Sequence, residues 1–401
     1  MSTGPTANIG ISAIATYQPP WVLGNDWFEG TIPRKFVHHT GIQSRPISEE
    51  DEVAMAVRVA ELLQREAGCD WRNCAGLVFA SPSFIPRLVA QQYLDDRSAR
   101  SERLKSAARR FAQKIKLPKC PQYAINWFCS GFARAMSIAW RRLANLTPHQ
   151  FILIINSNRI SRITDFACAQ TGALFGDMAT ATLLAREDSP LHPVHFKLLY
   201  ANAHKQPADG AFFNFHMRKN VLVPQKGGGK EYAPQRLVFS LNGMGVADAA
   251  PRAMASGIAK ALAATRISPA DIRFVVPHQA GTGIVRLATM KIEALGITGE
   301  IINGLTSAAG NVSSCSIPYA LQQHWNRLGG TIACPTAAVG RPGKLEMSQG
   351  CILLKATPLH SKLARWVGKI SRPGSSVETS TTSICALAGV PSSSWKATAV
   401  S

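Results

Sequence analysis

Three residues of types that do acyl chemistry stand at similar places in this chain. Cys129, in "AINWFCSGFARAMSIAW", lies between an apolar strand-like entry and a long apolar-periodic run, followed at once by Ser130 and Gly131. A cysteine at a helix start meets unpaired backbone N–H groups and the positive end of the helix dipole. Both favour the thiolate, the nucleophilic form. The plain alternative is a buried thiol that fills space, the usual fate of a free cysteine. His278, in "VVPHQAG", follows a buried strand and a proline that ends it. There it could hydrogen-bond a substrate carbonyl, pair with a thiolate, or be structural. Asn311, in "SAAGNVSS", could equally cap a helix or hold a turn. Jointly, a Cys–His–Asn set favours an enzyme.

The elements that must position these residues repeat. After Cys129, apolar residues fall at Phe132, Ala135, Met136, Ala139, Trp140 and Leu143, one face of an α-helix. In "GNVSSCSIPYALQQHWNRLGG" the same spacing recurs at Ile317, Ala320, Leu321, Trp325 and Leu328, with His324 in the remaining slot. Superposing the two patterns sets Cys129 opposite Ser314 and Asn126 opposite Asn311. "AELLQREAGCDWRNCAGLVFASPS" and "AKALAATRISPADIRFVVPHQAG" both read helix, turn, buried strand, with strands at Leu77–Ala80 and Phe274–Val276. This second match sets His278 near Ser81. "FILIIN" and "GDMATATLLA" read as further buried strands.

Alternating buried strands and helices predict an α/β layer fold of two similar halves related by a pseudo-twofold axis. Sites in such sheets lie beyond the carboxyl ends of the strands, where all three residues fall. The expected division is residues 1–188, with Cys129 and a basic insertion, then residues 189–356, with His278 and Asn311. Residues 357–401, basic and then Ser/Thr-rich, read as a mostly disordered tail.

Lys and Arg number 44 against 24 Asp and Glu, a net charge of +20 that calls for an acidic partner. Between Arg97 and Lys119 nine basic side chains face one acid, Glu102. With Phe111 the one aromatic there, base stacking has little support, so nucleic acid is not expected. Two readings remain, a solvated basic helix face or a dock for an acidic protein. No run approaches the roughly 20 apolar residues that span a bilayer. The N-terminus lacks a signal-peptide pattern, and nine cysteines make no disulfide or zinc framework. No membrane association, metal or cofactor is expected, and the compartment is read as cytoplasmic.

These segments resemble the thiolase superfamily, and among its patterns β-ketoacyl-acyl-carrier-protein synthase III. "CSGFARAMSIAW" resembles its nucleophile segment, "VVPHQA" its histidine motif and "GNVSSCSIP" its asparagine motif. "HHTGIQSRPIS" and "GDMATATLL" look like further landmarks in order. The resemblance implies a thiolase-like fold layered α-β-α-β-α. It implies acyl transfer to Cys129, then decarboxylative Claisen condensation with a malonyl-type thioester, His278 and Asn311 holding the enolate oxygen. It also implies acyl thioester substrates, a homodimer, and an acyl pocket shaped by "SPSFIPRL", Ile85 among its substrate-binding residues.

Four departures stand out. The positions that hold coenzyme A in the family fall near Lys35 and His39, both changed in identity. Gly281 replaces an asparagine beside the histidine. The late glycine-rich loop becomes "VGRPGKLEMSQGC", in which Gly343 or Gly350 could complete an oxyanion hole. The basic stretch is longer than the family core requires. Together they point to an acyl group on an acidic carrier protein and to specialised fatty-acid or polyketide-type metabolism. Arg109, Arg110 and Lys114 are the expected dock, with Arg286 after the histidine motif as the other basic site. The rivals are an acyltransferase on the same fold, passing the acyl group to an alcohol or amine, and a non-catalytic partner chain.

Overall fold

The computed structural model describes residues 8–83 and 97–359. The expected pocket residue Ile85 and nearly all of the expected tail lie outside them. Fourteen strands are seen among the described residues. The first seven are β1 (Ile9–Tyr17), β2 (Val22–Gly24), β3 (Ser44–Pro46), β4 (Cys74–Ala80), β5 (Gln122–Ile125), β6 (Phe151–Asn158) and β7 (Met178–Arg186). Then come β8 (Phe196–Pro207), β9 (Phe213–Pro224), β10 (Lys230–Leu241), β11 (Ile272–Val275), β12 (Glu300–Ile301), β13 (Thr331–Val339) and β14 (Glu346–Ala356). The helices are α1 (Phe36–Thr40), α2 (Glu52–Ala67), α3 (Arg97–Lys114), α4 (Gly131–Ile138), α5 (Gly243–Thr265), α6 (Thr282–Glu293), α7 (Thr306–Ala309) and α8 (Ser316–Gln323).

Ten strands form one sheet in the order β12-β11-β13-β14-β8-β1-β7-β6-β4-β5. The order is the same when read outward from its centre, so each half builds five strands with one topology. The halves join where β1 meets β8, over Gly10–Lys197 and Ile11–Phe196. In each half one parallel group runs towards the site, β4 with β5 and β6, and β11 with β12 and β13.

Apolar periodicity decides the layers. Phe132, Ala135 and Met136 of α4 and Ile317, Ala320 and Leu321 of α8 are buried in one core shared by both halves. Val53, Val59 and Leu63 of α2 pack with Leu104 and Phe111 of α3 on the outer face of the first half. Met254 and Ile258 of α5 pack with Ala288 and Ile292 of α6 on the outer face of the second. The result is helix, half-sheet, helix, half-sheet, helix, the expected five-layer thiolase-like arrangement. Helix α2 starts where the Asp51 carboxylate accepts from Ala54 N (2.8 Å) and stops at left-handed Gly68.

The repeat extends to backbone detail. A one-turn 3-10 helix, Phe128–Ser130, leads into α4, and Ser313–Cys315 leads into α8. Each turn begins with a residue in the left-handed region, Phe128 at φ 44 and Ser313 at φ 49. Each is preceded by the same asparagine turn. Asn126 Oδ1 accepts from Phe128 N (3.4 Å) and Asn311 Oδ1 from Ser313 N (2.9 Å). The long ribbon of β9 and β10 sits outside the repeat and is not legible as strands in the periodicity above.

Candidate active site

The chemistry-bearing residues meet where the two halves meet. Cys129, His278 and Asn311 line one cavity of about 370 Å³, together with Ser313, Gly281 and Arg286. Its walls are otherwise mostly apolar.

Cys129 is half-buried at the turn before α4. Its carbonyl accepts from Thr336 Oγ1 of β13 (3.0 Å), and the Ser313 hydroxyl donates to its Sγ (3.7 Å). The nucleophile of one half is thus held by residues of the other. The helix start does not make it a resting thiolate. Burial pushes the Cys129 thiol up to about 11, and the Ser313 hydroxyl and local backbone N–H groups pull down without prevailing. Desolvation thus opposes the thiolate that the helix terminus favours.

His278 follows β11 and is 2 % exposed. Its backbone N–H donates to Pro335 O (3.0 Å), fixing it beside β13. Nδ1 lies 2.9 Å from Ser316 Oγ, while Nε2 is buried with no protein partner among the described residues. Burial drives the imidazole down to about 3, so it is neutral at physiological pH. Asn311 is held through backbone contacts, its N–H to Leu174 O (2.9 Å) and its carbonyl from Gly176 N (3.2 Å). Ser313 N occupies its Oδ1, which leaves Nδ2 as the end available to act. The turn reading of Asn311 and the cavity reading are therefore both true of one residue.

Gly281 lies at φ 139 immediately before α6, a conformation that an L side chain rarely adopts. An asparagine there would need the backbone to change. His39 and Arg286 also line the cavity, whereas Lys35 does not. Neither Gly343 nor Gly350 does so. Gly343 N–H donates to Phe213 O (2.9 Å), and Gly350 is mid-strand in β14, opposite Thr336 and Ala203. The ends of β13 and β14 give the cavity Val339 and Met347 instead.

Arg109 and Arg110 lie on the exposed side of α3, and Lys114 at its end. The other side of α3 is packed on the outer face of the first half, so the structure does not bring these three to the cavity. Sequence reasoning missed Ser313 and Ser316, and it missed an aromatic wall. Phe128 meets Phe213 edge-on at 4.8 Å, and Phe175 meets Phe239 at 5.3 Å. The alternation in "FNFHM" was the available signal for that wall.

This fold is that of the thiolase superfamily. Two family descriptions match in order, 3-Oxoacyl-[acyl-carrier-protein (ACP)] synthase III over residues 123–200 and its C-terminal counterpart over residues 262–338. The chain is a β-ketoacyl-acyl-carrier-protein synthase III-like protein of that superfamily. It is 25 % identical over 331 residues to the Beta-ketoacyl-[acyl-carrier-protein] synthase III of Clostridium beijerinckii, covering 80 % of this chain and 91 % of that one. The crystal structure of 3-oxoacyl-[acyl-carrier-protein] synthase III from Aquifex aeolicus superposes with a TM-score of 0.61 at 21 % identity, covering 86 % and 99 % of the two chains. The priming β-ketosynthase of the R1128 polyketide pathway gives 0.63 at 19 % identity, covering 89 % and 99 %. Among the described residues no helix is long and apolar enough to cross a membrane.

Proposed function

We propose that this protein is a condensing enzyme that loads an acyl group on Cys129 and extends it with a malonyl-type thioester. The observation that carries this reading is the single cavity shared by Cys129, the unpartnered Nε2 of His278, and Asn311. Cys129 Sγ attacks the acyl thioester carbonyl, and the departing carrier thiol takes up the thiol proton. The acyl chain lies against the aromatic wall. The second thioester then loses carbon dioxide. His278 and Asn311 donate to the enolate oxygen, its carbanion attacks acyl-Cys129, and the cysteine leaves as the β-ketoacyl thioester forms. Losing one such preorganised donor costs on the order of 3 kcal/mol, about a hundredfold in rate.

The carrier is an acidic acyl carrier protein, in a specialised fatty-acid or polyketide-type pathway, and the enzyme works as a homodimer. The net charge of +20 and the loss of the expected coenzyme A contacts at Lys35 and His39 support this. Arg286, on the exposed side of α6 and in the cavity lining, gives the carrier a basic contact beside the site. Intact-mass spectrometry after incubation with acyl carriers tests the first step, with carbon dioxide release on adding malonyl thioester testing the second. An acyl-enzyme that releases none, and passes its acyl group to an alcohol or amine, would replace this reading with the acyltransferase one. Gly281 beside His278 is the feature that favours that alternative.

A further inference from the structure

Ser316 is the first residue of α8 and is fully buried. It occupies the position that Gly131 holds in the first half, so the repeat is broken here by one hydroxyl. That hydroxyl has two polar neighbours, Gln279 N at 2.7 Å and His278 Nδ1 at 2.9 Å. A backbone N–H can only donate, so Gln279 occupies one lone pair of Ser316 Oγ. The hydroxyl hydrogen then has His278 Nδ1 as its acceptor. Were Nδ1 to carry the ring proton instead, both neighbours would donate to Oγ. The hydroxyl hydrogen would then be buried without an acceptor, which a dry site penalises.

We propose that Ser316 is a positioning residue that fixes the His278 tautomer with the proton on Nε2, so that the imidazole presents a hydrogen-bond donor to the cavity. The consequence for mechanism rests on the condensing reading above, but the tautomer itself does not. A neutral ring with Nε2–H can stabilise an enolate oxygen and cannot accept the Cys129 proton through that atom. His278 is then a donor throughout, and the thiol proton leaves with the departing carrier thiol. The paired asparagine follows the same logic, its Oδ1 engaged by backbone and its Nδ2 left over.

The test is nitrogen NMR of the full-length enzyme grown with ¹³C,¹⁵N-histidine, without substrate, near pH 7. The His278 signals are assigned by their loss in His278→Gln. A pyridine-like Nδ1 and a pyrrole-like Nε2 are expected. Protonated Nδ1 would overturn the proposal. In Ser316→Ala the two tautomers should mix, and kcat for condensation should fall tenfold or more with KM for the extender thioester unchanged. Ser316→Thr, which keeps the hydroxyl, should restore the parent tautomer. An unchanged tautomer in Ser316→Ala would also overturn the role of Ser316. Should that variant not fold, the parent and Ser316→Thr spectra still decide. Nε2–H in a parent enzyme that releases no carbon dioxide would sustain the tautomer while removing the condensing reading.

Discussion

Gly131 and Ser314 touch across the pseudo-twofold axis. A Cβ on Gly131 would lie 2.8 Å from the Ser314 Cβ, so the start of α4 and the turn before α8 leave no room for a side chain there. Gly131→Ala should therefore destabilise by about 1–3 kcal/mol through overpacking. Combining it with Ser314→Gly should recover part of the loss, a coupling that urea denaturation of all four proteins would reveal. Simple additivity would mean that the helices yield at this contact.

The pH dependence of Cys129 follows from its desolvation. With the thiol pushed up to about 11, iodoacetamide alkylation at Cys129 should keep rising about tenfold per pH unit from pH 7 to pH 10. Ser313→Ala should lower it further by removing the hydroxyl on Sγ. Peptide mapping against the other cysteines gives the comparison, and a plateau below pH 8 would show that the helix terminus prevails.

His278 gives the opposite kind of prediction, on stability. The folded ring titrates at about 3, and an unfolded histidine near 6.5. Between these values the unfolded chain binds the extra proton. The contribution of this group is therefore complete above about pH 6.5. It is lost as pH falls, at up to about 1.4 kcal/mol per unit. His278→Gln should flatten that part of the stability curve, measured by urea unfolding at pH 7 and pH 5. A parallel shift of both curves would mean that acid acts elsewhere.

The helices after Cys129 and Asn311 were legible because a buried face imposes a period, and a repeated fold imposes it twice. Their matched positions, Cys129 with Ser314 and Asn126 with Asn311, recur in the turns that precede α4 and α8. The contacts between distant segments, two of them across the halves, were not legible. Ser313 on Cys129, Ser316 on His278 and Thr336 on the Cys129 carbonyl are single hydroxyls from distant segments, and no periodicity encodes them. The thiol's surroundings were half legible, because the sequence shows the helix end and hides the desolvation.

The aromatic wall should set which acyl groups Cys129 accepts. Phe239 is 5 % exposed and stacks near Phe175 and Phe213. Phe239→Ala should cost about 3 kcal/mol or more in stability. It should also shift loading towards bulkier acyl groups, read by intact mass with a mixed panel. Unchanged preference would place the acyl chain elsewhere.

Charge reversal separates the two basic surfaces. Arg286→Glu should slow use of a carrier-bound acyl group at least tenfold while sparing a small thioester mimic. The triple reversal of Arg109, Arg110 and Lys114 on α3 shows whether that helix contributes to the same encounter. Attraction of this kind weakens above about 0.15 M salt, where screening reaches about 8 Å. Equal losses for carrier and mimic would indicate damage to the fold.

The left-handed backbone at Phe128 and Ser313 has a consequence for engineering. Holding a side chain there costs on the order of 1–2 kcal/mol at each position. Glycine would release that strain, so a search for thermostable variants should favour it at both. At Phe128 the gain removes a ring of the cavity wall, and at Ser313 it removes the hydroxyl that meets the nucleophile. Heat resistance and turnover therefore compete at these two residues, and durable variants should be sought in the outer layers, on α2 and α3.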